Sequence, residues 1–315
     1  MDIDGICIFG GTGFVGRAIV EQAYARGLRV RVVTAYTANA MALSVVPTVE
    51  VFVGNVFDDR TLERACEDMD AVVNLVGILH PSRGKGFDAV HVELPRRIAA
   101  ACHGAGVQQL LHMSALGADA NGPSEYQRSK GRGEAALRQA AGILPWTVFR
   151  PSVIFGEGDH FLNLFAALAR AFPVIPLAGA QARFQPVWVE DVARCFVQSL
   201  GETRAFGQSF DLCGPRAYSL EELVRLVAAT LGLRRRIWPL PPALARMQAF
   251  ALEHLPGKLM TRDNLASMSV DNTCGDPFPA IFGFTPSPLE AVAPLYLAGA
   301  NTRSRYQRYR NAAGR

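Results

Sequence analysis

Residues 6–20 read ICIFGGTGFVGRAIV, and their order decides the fold. Ile6–Phe9 is a short apolar run suited to a buried strand, and the residues from Arg17 onward carry helical periodicity. Between them Gly10, Gly13 and Gly16 fall in a G-x-x-G-x-x-G spacing. A chain with this pattern turns tightly, brings its backbone against an anion without side-chain obstruction, and offers unpaired N–H groups at a helix start. Pyrophosphate fits such a cradle, so a strand–loop–helix carrying it points to a bound dinucleotide.

The same rhythm continues outward. The runs LRVRVV, VEVFVG, AVVNLVG, LLHMSA and WTVFRPS alternate with helical stretches at 17–26, 61–67, 88–103 and 125–140, and Gly27 stands where a C-terminal cap belongs. Apolar strands alternating with helices predict an α/β fold, a Rossmann-type doubly wound parallel sheet of at least six strands covered on both faces. After Ser152 the pattern changes: an apolar helix at 161–172, a proline-bounded strand, RFQPVWVEDVARCFVQSL, and a capping box from Ser219 to Glu222. The organisation expected is a dinucleotide-binding core over 1–155 with returning segments such as 183–214. A smaller C-terminal α/β lobe over 156–300 and a basic, disordered tail over 301–315 complete it.

Half of the 315 residues are hydrophobic, enough for a large core with an appended lobe. The net charge of +4 comes from the tail, NTRSRYQRYRNAAGR, whose five arginines leave a near-neutral body. That argues against a nucleic-acid surface. The opening MDIDGICIFGG has no targeting pattern, and the greasiest window, HFLNLFAALARAFPVIPLAGA, is interrupted by Asn163, Arg170, Pro173 and Pro176 and reads as a buried helix and strand. Cys7, Cys66, Cys102, Cys195, Cys213 and Cys274 lie far apart without a CxxC pair, which predicts free thiols in a reducing cytoplasm. No histidines stand at ligand spacing; His80, His91, His103 and His112 read as surface or core residues, and no metal is expected. The amphipathic segment 243–259 is expected to pack on the lobe, with a place on the inner face of a membrane, aided by the tail, as the alternative.

The stretch SEYQRSKGRGE, 124–134, poses the catalytic question. Ser124 with Gln127 is a capping box, so Tyr126 and Lys130 project from one face of a new helix, one turn apart. Beside a nicotinamide ribose, the ammonium would bind hydroxyls and stabilise a phenolate while the tyrosine passes a proton. The alternative is an ordinary helix start with a solvated lysine.

The glycine spacing resembles that of the short-chain dehydrogenases/reductases. In that superfamily a segment after the third strand lies near the adenine, matched here by Gly54-Asn55-Val56, and a fourth-strand motif is matched by Asn74-Leu75-Val76-Gly77. A serine or threonine after the fifth strand polarises the substrate carbonyl; Ser114 holds that place but stands only twelve residues before Tyr126, with Ala115 following it. After the second strand, Thr34-Ala35-Tyr36-Thr37 supplies neither the acid that selects NAD(H) nor the arginine that selects NADP(H). Arg31 is expected to stack along the sheet rather than to compensate.

HMSALGAD, YQRSKGRGEAALR, FRPSVIFGEGDHFLNLF, RFQPVWVEDVA and LPGKLMTRDN together resemble the family of the nucleotide-binding accessory subunit of respiratory complex I and its bacterial relatives, over roughly residues 5–297. The resemblance implies that Gly10, Thr12, Gly13, Phe14 and Gly16 hold pyrophosphate and that Tyr126 and Lys130 hold the nicotinamide ribose. It also implies that Pro151, Ser152 and Val153 line the nicotinamide, and that Gln185, Pro186, Val187 and Asp191 form a hinge. NADPH is favoured over NAD(H) by the resemblance alone. Two functions follow: an oxidoreductase on an apolar carbonyl or quinone-related substrate, with Ser114, Tyr126 and Lys130 catalytic and Phe161, Phe165, Trp188 and Trp238 lining an apolar cleft, or a non-catalytic accessory subunit of a respiratory or quinone-biosynthesis assembly.

Overall fold

The short apolar runs of the N-terminal half become the strands of one parallel sheet. A computed structural model describes residues 1–36, 38, 43, 47–81, 86–255 and 259–298; the expectations for Thr37 and for the tail lie outside them. The chain divides into two units. The first comprises Met1–Pro151, Val189–Leu212 and Pro279–Phe284. The second comprises Ser152–Trp188, Cys213–Phe278 and the described residues from Thr285 onward.

In the first unit the elements run β1 (Gly5–Phe9), α1 (Phe14–Ala25), β2 (Arg29–Thr34), β3 (Val49–Val53), α2 (Asp59–Cys66), β4 (Ala71–Asn74), α3 (Leu94–Gly104), β5 (Gln109–Met113), α4 (Glu125–Ala141), β6 (Trp146–Pro151), α5 (Val189–Gln198) and β7 (Gln208–Leu212). The strand order is β7-β6-β5-β4-β1-β2-β3, and every pair is parallel. The order reverses between β1 and β4, and in open sheets of this kind ligands bind beyond the carboxyl ends at that reversal. The glycine loop leaves β1 there, and Asn74–Gly77 leaves β4 there. All five residues of β1 are buried, as a strand covered on both faces requires. Phe149 of β6 anchors an aromatic cluster from remote segments, with ring centroids 4.1 Å from Phe196, 6.0 Å from Phe210 and 6.3 Å from Phe282.

Two element boundaries differ from the sequence reading in an informative way. Helix α1 begins at Phe14, directly after Gly13, so the loop is shorter than periodicity alone indicates. The stretch expected as one helix over 88–103 is a single π-helical turn, Ala89–Glu93, running into α3. Gly27 follows α1 with φ +82° and donates to Tyr24 O, as expected of a cap.

The second unit packs helices Leu162–Ala171, Leu220–Thr230 and Leu289–Leu297 around Phe155, Phe165, Leu223 and Ala293. The greasy window is thus a buried-face helix followed by the strand Val174–Leu177. Phe161, Phe165 and Trp188 pack with this core, whereas Trp238 is 55% exposed on the strand Arg236–Pro239 and is no part of a cleft with them. Among the described residues that strand pairs only with Val174–Leu177. Among the described residues no helix is long and apolar enough to cross a membrane.

The expectation of six free thiols is wrong for two of them: Cys213 and Cys274 are joined by a disulfide. They stand 61 positions apart in the sequence, so no local spacing announces the pair. Gln185 brings the two segments together. Its Nε2 donates to Gly214 O at 2.7 Å, and its Oε1 accepts from the Cys274 N–H at 3.0 Å. Cys7, Cys66, Cys102 and Cys195 are free and buried, and burial raises the pKa of Cys7, Cys102 and Cys195, leaving those thiols protonated.

Candidate functional site

At the end of β1, Gly10 takes φ +87°, a conformation side chains resist, and its carbonyl accepts from the Gly13 N–H at 3.0 Å. A Cβ on Gly16 would overlap Gly10 O and lie 2.5 Å from Gly11 Cα, so only glycine lets α1 start this close to the strand. Helix α1 has no side-chain cap and no acid in its first turn, which leaves its first N–H groups and positive dipole end for an anion. Thr12 and Phe14 flank Gly13, and Thr12 O accepts from Arg17 Nε at 3.0 Å. These features fit a pyrophosphate.

The β4 end closes against the same loop. A Cβ on Gly10 would stand 3.3 Å from both Leu75 Cβ and Val76 N, and the Val76 N–H donates to Asn74 Oδ1 at 3.1 Å. A Cβ on Gly77 would stand 3.4 Å from Lys130 Nζ, so the lysine reaches the β4 end. Asn55 is exposed beyond β3, its Oδ1 accepting from the Phe57 N–H at 3.1 Å, and Val56 packs on the sheet core. Arg31 bonds Glu50 at 2.9 Å and Glu67 O at 2.7 Å, so it stays on the sheet as expected.

The capping box at α4 is formed: Ser124 Oγ accepts from the Gln127 N–H, and Gln127 Oε1 accepts from the Ser124 N–H. Tyr126 and Lys130 therefore emerge one turn apart, with Lys130 Nζ 6.0 Å from the tyrosine ring centroid. Lys130 is 4% exposed and donates to Met113 O at 3.2 Å. Burial pushes its pKa down to about 8, partly opposed by Glu134, and burial pushes the Tyr126 phenol up to about 12. At neutral pH the pair is an ammonium beside a protonated phenol.

Sequence reasoning missed what holds this pair. His91, on the π-helical turn, accepts the Ile78 N–H at Nε2 (3.1 Å), which puts its proton on Nδ1. Nδ1 donates to Ser129 Oγ (2.9 Å), and Ser129 donates to Tyr126 O (2.8 Å). The Tyr126 ring meets His91 edge-on at 5.6 Å and Phe87 at 6.1 Å. One chain of hydrogen bonds thus ties the β4 end to the start of α4. No sequence signal announced this tie, because the π-turn that carries His91 has no sequence pattern, although such turns recur at functional sites. His112 is likewise buried, its Nδ1 3.2 Å from Asn74 Nδ2.

Both imidazoles stay neutral in the fold. Burial first, then the Lys130 charge, pushes each to about 3. An unfolded histidine titrates near about 6.5, so as pH falls from there toward about 3 the unfolded chain binds protons that the native state does not, and stability is lost. Each histidine contributes a slope of about 1.4 kcal/mol per pH unit. His91→Gln is expected to flatten the fall in urea midpoint between pH 6 and 4 by one such slope, as measured by denaturation series; an unaltered slope refutes the neutral assignment.

The other proposed residues lie differently. Ser114 Oγ is buried without a hydrogen bond of full geometry; it faces Glu134 and helps hold that carboxyl down. Burial raises Glu134, but the Arg150 fork (2.8 and 2.6 Å) and Arg138 (2.7 Å) outweigh it, and the carboxyl stays below its usual range. Pro151 ends β6 and accepts from the Leu116 N–H at 2.9 Å. Ser152 and Val153 belong to the second unit, where Ser152 Oγ donates to Asn272 Oδ1 (2.6 Å) and the Val153 N–H to the same oxygen (3.2 Å). Among the described residues no cluster could hold a metal ion.

Residues 10–162 match the family model described as NAD(P)H-binding. The chain is 31% identical over 299 residues to the mouse protein NADH dehydrogenase [ubiquinone] 1 alpha subcomplex subunit 9, mitochondrial, covering 90% of this chain and 77% of that one. It is 30% identical to the Ceramide reductase of Caulobacter vibrioides, over 75% of this chain and 73% of that one. It spans between 60% and 77% of the length of the mitochondrial subunits it matches. Among solved structures, UDP-glucose 4-epimerase from Thermotoga maritima shares the fold, with TM-score 0.72 and 16% identity over 96% of this chain and 99% of that one. The chain belongs to the NAD(P)-binding, atypical short-chain dehydrogenase/reductase family that contains the alpha subcomplex subunit 9 of mitochondrial NADH dehydrogenase.

Proposed function

We propose that the protein is an NAD(P)H-dependent reductase of an apolar carbonyl compound, a lipid ketone or quinone-related molecule. The observation that carries this reading is the Tyr126/Lys130 pair on one face of α4, with the buried ammonium beside the β4 end. The names of two relatives, a ceramide reductase and a subunit of a ubiquinone-linked dehydrogenase, support an apolar substrate.

Gly10, Thr12, Gly13, Phe14 and Gly16 would hold the pyrophosphate, Asn55 and Val56 the adenine, and Leu75, Val76 and Gly77 the backbone side of the ribose. Lys130 would bind the nicotinamide ribose, with Pro151 along the ring. A reduced dinucleotide held there would supply the hydride. Tyr126 donates its proton to the carbonyl oxygen as that charge develops, yielding an alcohol, and the Lys130 ammonium stabilises the phenolate left behind. Ser114 would polarise the carbonyl.

A second reading, a non-catalytic dinucleotide-binding subunit of a respiratory or quinone-biosynthesis assembly, is favoured by Ser114, whose hydroxyl is buried. Bound nucleotide would then act by stabilising the folded state. The test is to denature the purified protein, identify the nucleotide released, and mix the protein with that nucleotide in reduced form and a panel of hydrophobic ketones and quinones. Release of NADP(H) and single-turnover oxidation are expected. Tight nucleotide with no oxidation by any member of the panel overturns the reductase reading and leaves the accessory one.

A further inference from the structure

The helix Pro242–Glu253 of the second unit is built the wrong way round for a helix facing water. It buries only the small Ala245 and Ala249, while Met247 is 63% and Phe250 52% exposed and Leu244 37%. A helix apolar on both faces ordinarily lies inside a core or a membrane. At twelve residues this one is far too short to span a bilayer.

The neighbouring two-stranded sheet continues the same surface. Its register pairs Arg236 with Val174 and Trp238 with Pro176, and these four outward positions are all exposed, while Ile175 and Leu177 point into the core. Gln248 Nε2 donates to Pro176 O at 3.1 Å, which docks the helix beside the sheet. The two segments that build the face, 168–182 and 231–252, contain Arg170, Arg234, Arg235, Arg236 and Arg246 and no aspartate or glutamate. The first acid beyond them, Glu253, is paired with Arg262 at 2.6 Å.

We infer that this face, formed by Val174, Trp238, Leu244, Met247 and Phe250 within a rim of Arg234, Arg236 and Arg246, seats the protein on an anionic lipid surface. The charge decides among occupants. A second copy of the same face would set arginine against arginine, whereas a bilayer of anionic headgroups pairs the rim and takes up the apolar centre. Tryptophan and phenylalanine with flanking arginines are the chemistry of the membrane interface, where rings lie at headgroup depth. This inference stands apart from the reductase reading and uses none of its residues.

The test is co-sedimentation of the full-length protein with vesicles of phosphatidylcholine alone and of phosphatidylcholine mixed with phosphatidylglycerol, at low and high salt. Binding to the anionic vesicles, weakened by salt, is expected. Met247→Glu/Phe250→Glu and, separately, Arg234→Glu/Arg236→Glu are each expected to weaken it on the order of tenfold or more. All four positions are exposed, and a circular-dichroism spectrum and urea midpoint like those of the wild type certify each variant as folded. Three results overturn the inference: no binding of the wild type to anionic vesicles; undiminished binding by both double variants, with loss only on removing residues 301–315; or a dimer in light scattering that Met247→Glu/Phe250→Glu converts to a monomer.

Discussion

Gly16→Val is expected to abolish dinucleotide binding, weakening affinity by about a hundredfold or more, which corresponds to about 3 kcal/mol. The reason is local and rigid. The added carbons meet the Gly10 carbonyl and the Gly11 backbone, not the movable end of a side chain. The loop must move away from α1, and with it go the N–H groups aimed at the pyrophosphate. Overpacking of this kind costs about 1–3 kcal/mol of stability as well, so the variant should also unfold at lower urea. Gly104→Ala is the control: nothing lies within 4 Å of a Cβ there, and the residue is helical. It should bind nucleotide as the wild type does and be slightly more stable. Titration calorimetry on the two variants checks both expectations. Wild-type affinity in Gly16→Val would remove the glycine loop from the site.

Tyr126→Phe separates holding the nucleotide from using it. The ring contacts with His91 and Phe87 and the backbone bond from Ser129 survive the substitution, so the helix start and Lys130 should keep their places. Nucleotide affinity is expected to change little, while kcat for a reducible ketone falls by about 10²–10⁴, the usual worth of a positioned proton donor. Lys130→Met should do the opposite first and lose affinity. If Tyr126→Phe turns over at the wild-type rate, the phenol is not the donor.

The parts of the fold that sequence made legible are those settled within about fifteen residues. The strand, glycines and helix of 6–20 adopt the arrangement their spacing demands, because the steric need at Gly16 and the φ of Gly10 are local requirements. The Ser124 and Ser219 boxes formed for the same reason. What was hidden depends on distant partners. Cys213 meets Cys274 across segments far apart in the chain, which Gln185 also bridges. His91 read as a surface or core residue; it is buried, and its tie to Tyr126 runs from a π-turn that no periodicity encodes. Ser114 stood at the expected place in the chain, yet its hydroxyl is buried, a result of packing that the sequence does not display. For the segment 243–259 the sequence left packing on the lobe and a membrane surface both open, and the helix buries only Ala245 and Ala249 while Met247 and Phe250 stay exposed.

The aromatic cluster on Phe149 has a consequence for how the protein is made. Its partners Phe196, Phe210 and Phe282 leave the ribosome long after β6 does, and β7 closes the edge of β6 only once Gln208–Leu212 has emerged. At about 5–20 residues per second, a nascent chain carries an open strand edge and an uncovered phenylalanine for several seconds. Vectorial synthesis therefore cannot finish the nucleotide-binding sheet before the first segment of the second unit, Ser152–Trp188, has been made. The two units are threaded through one another in time as well as in sequence, and a chain halted after Pro151 would meet the chaperones as an incomplete sheet.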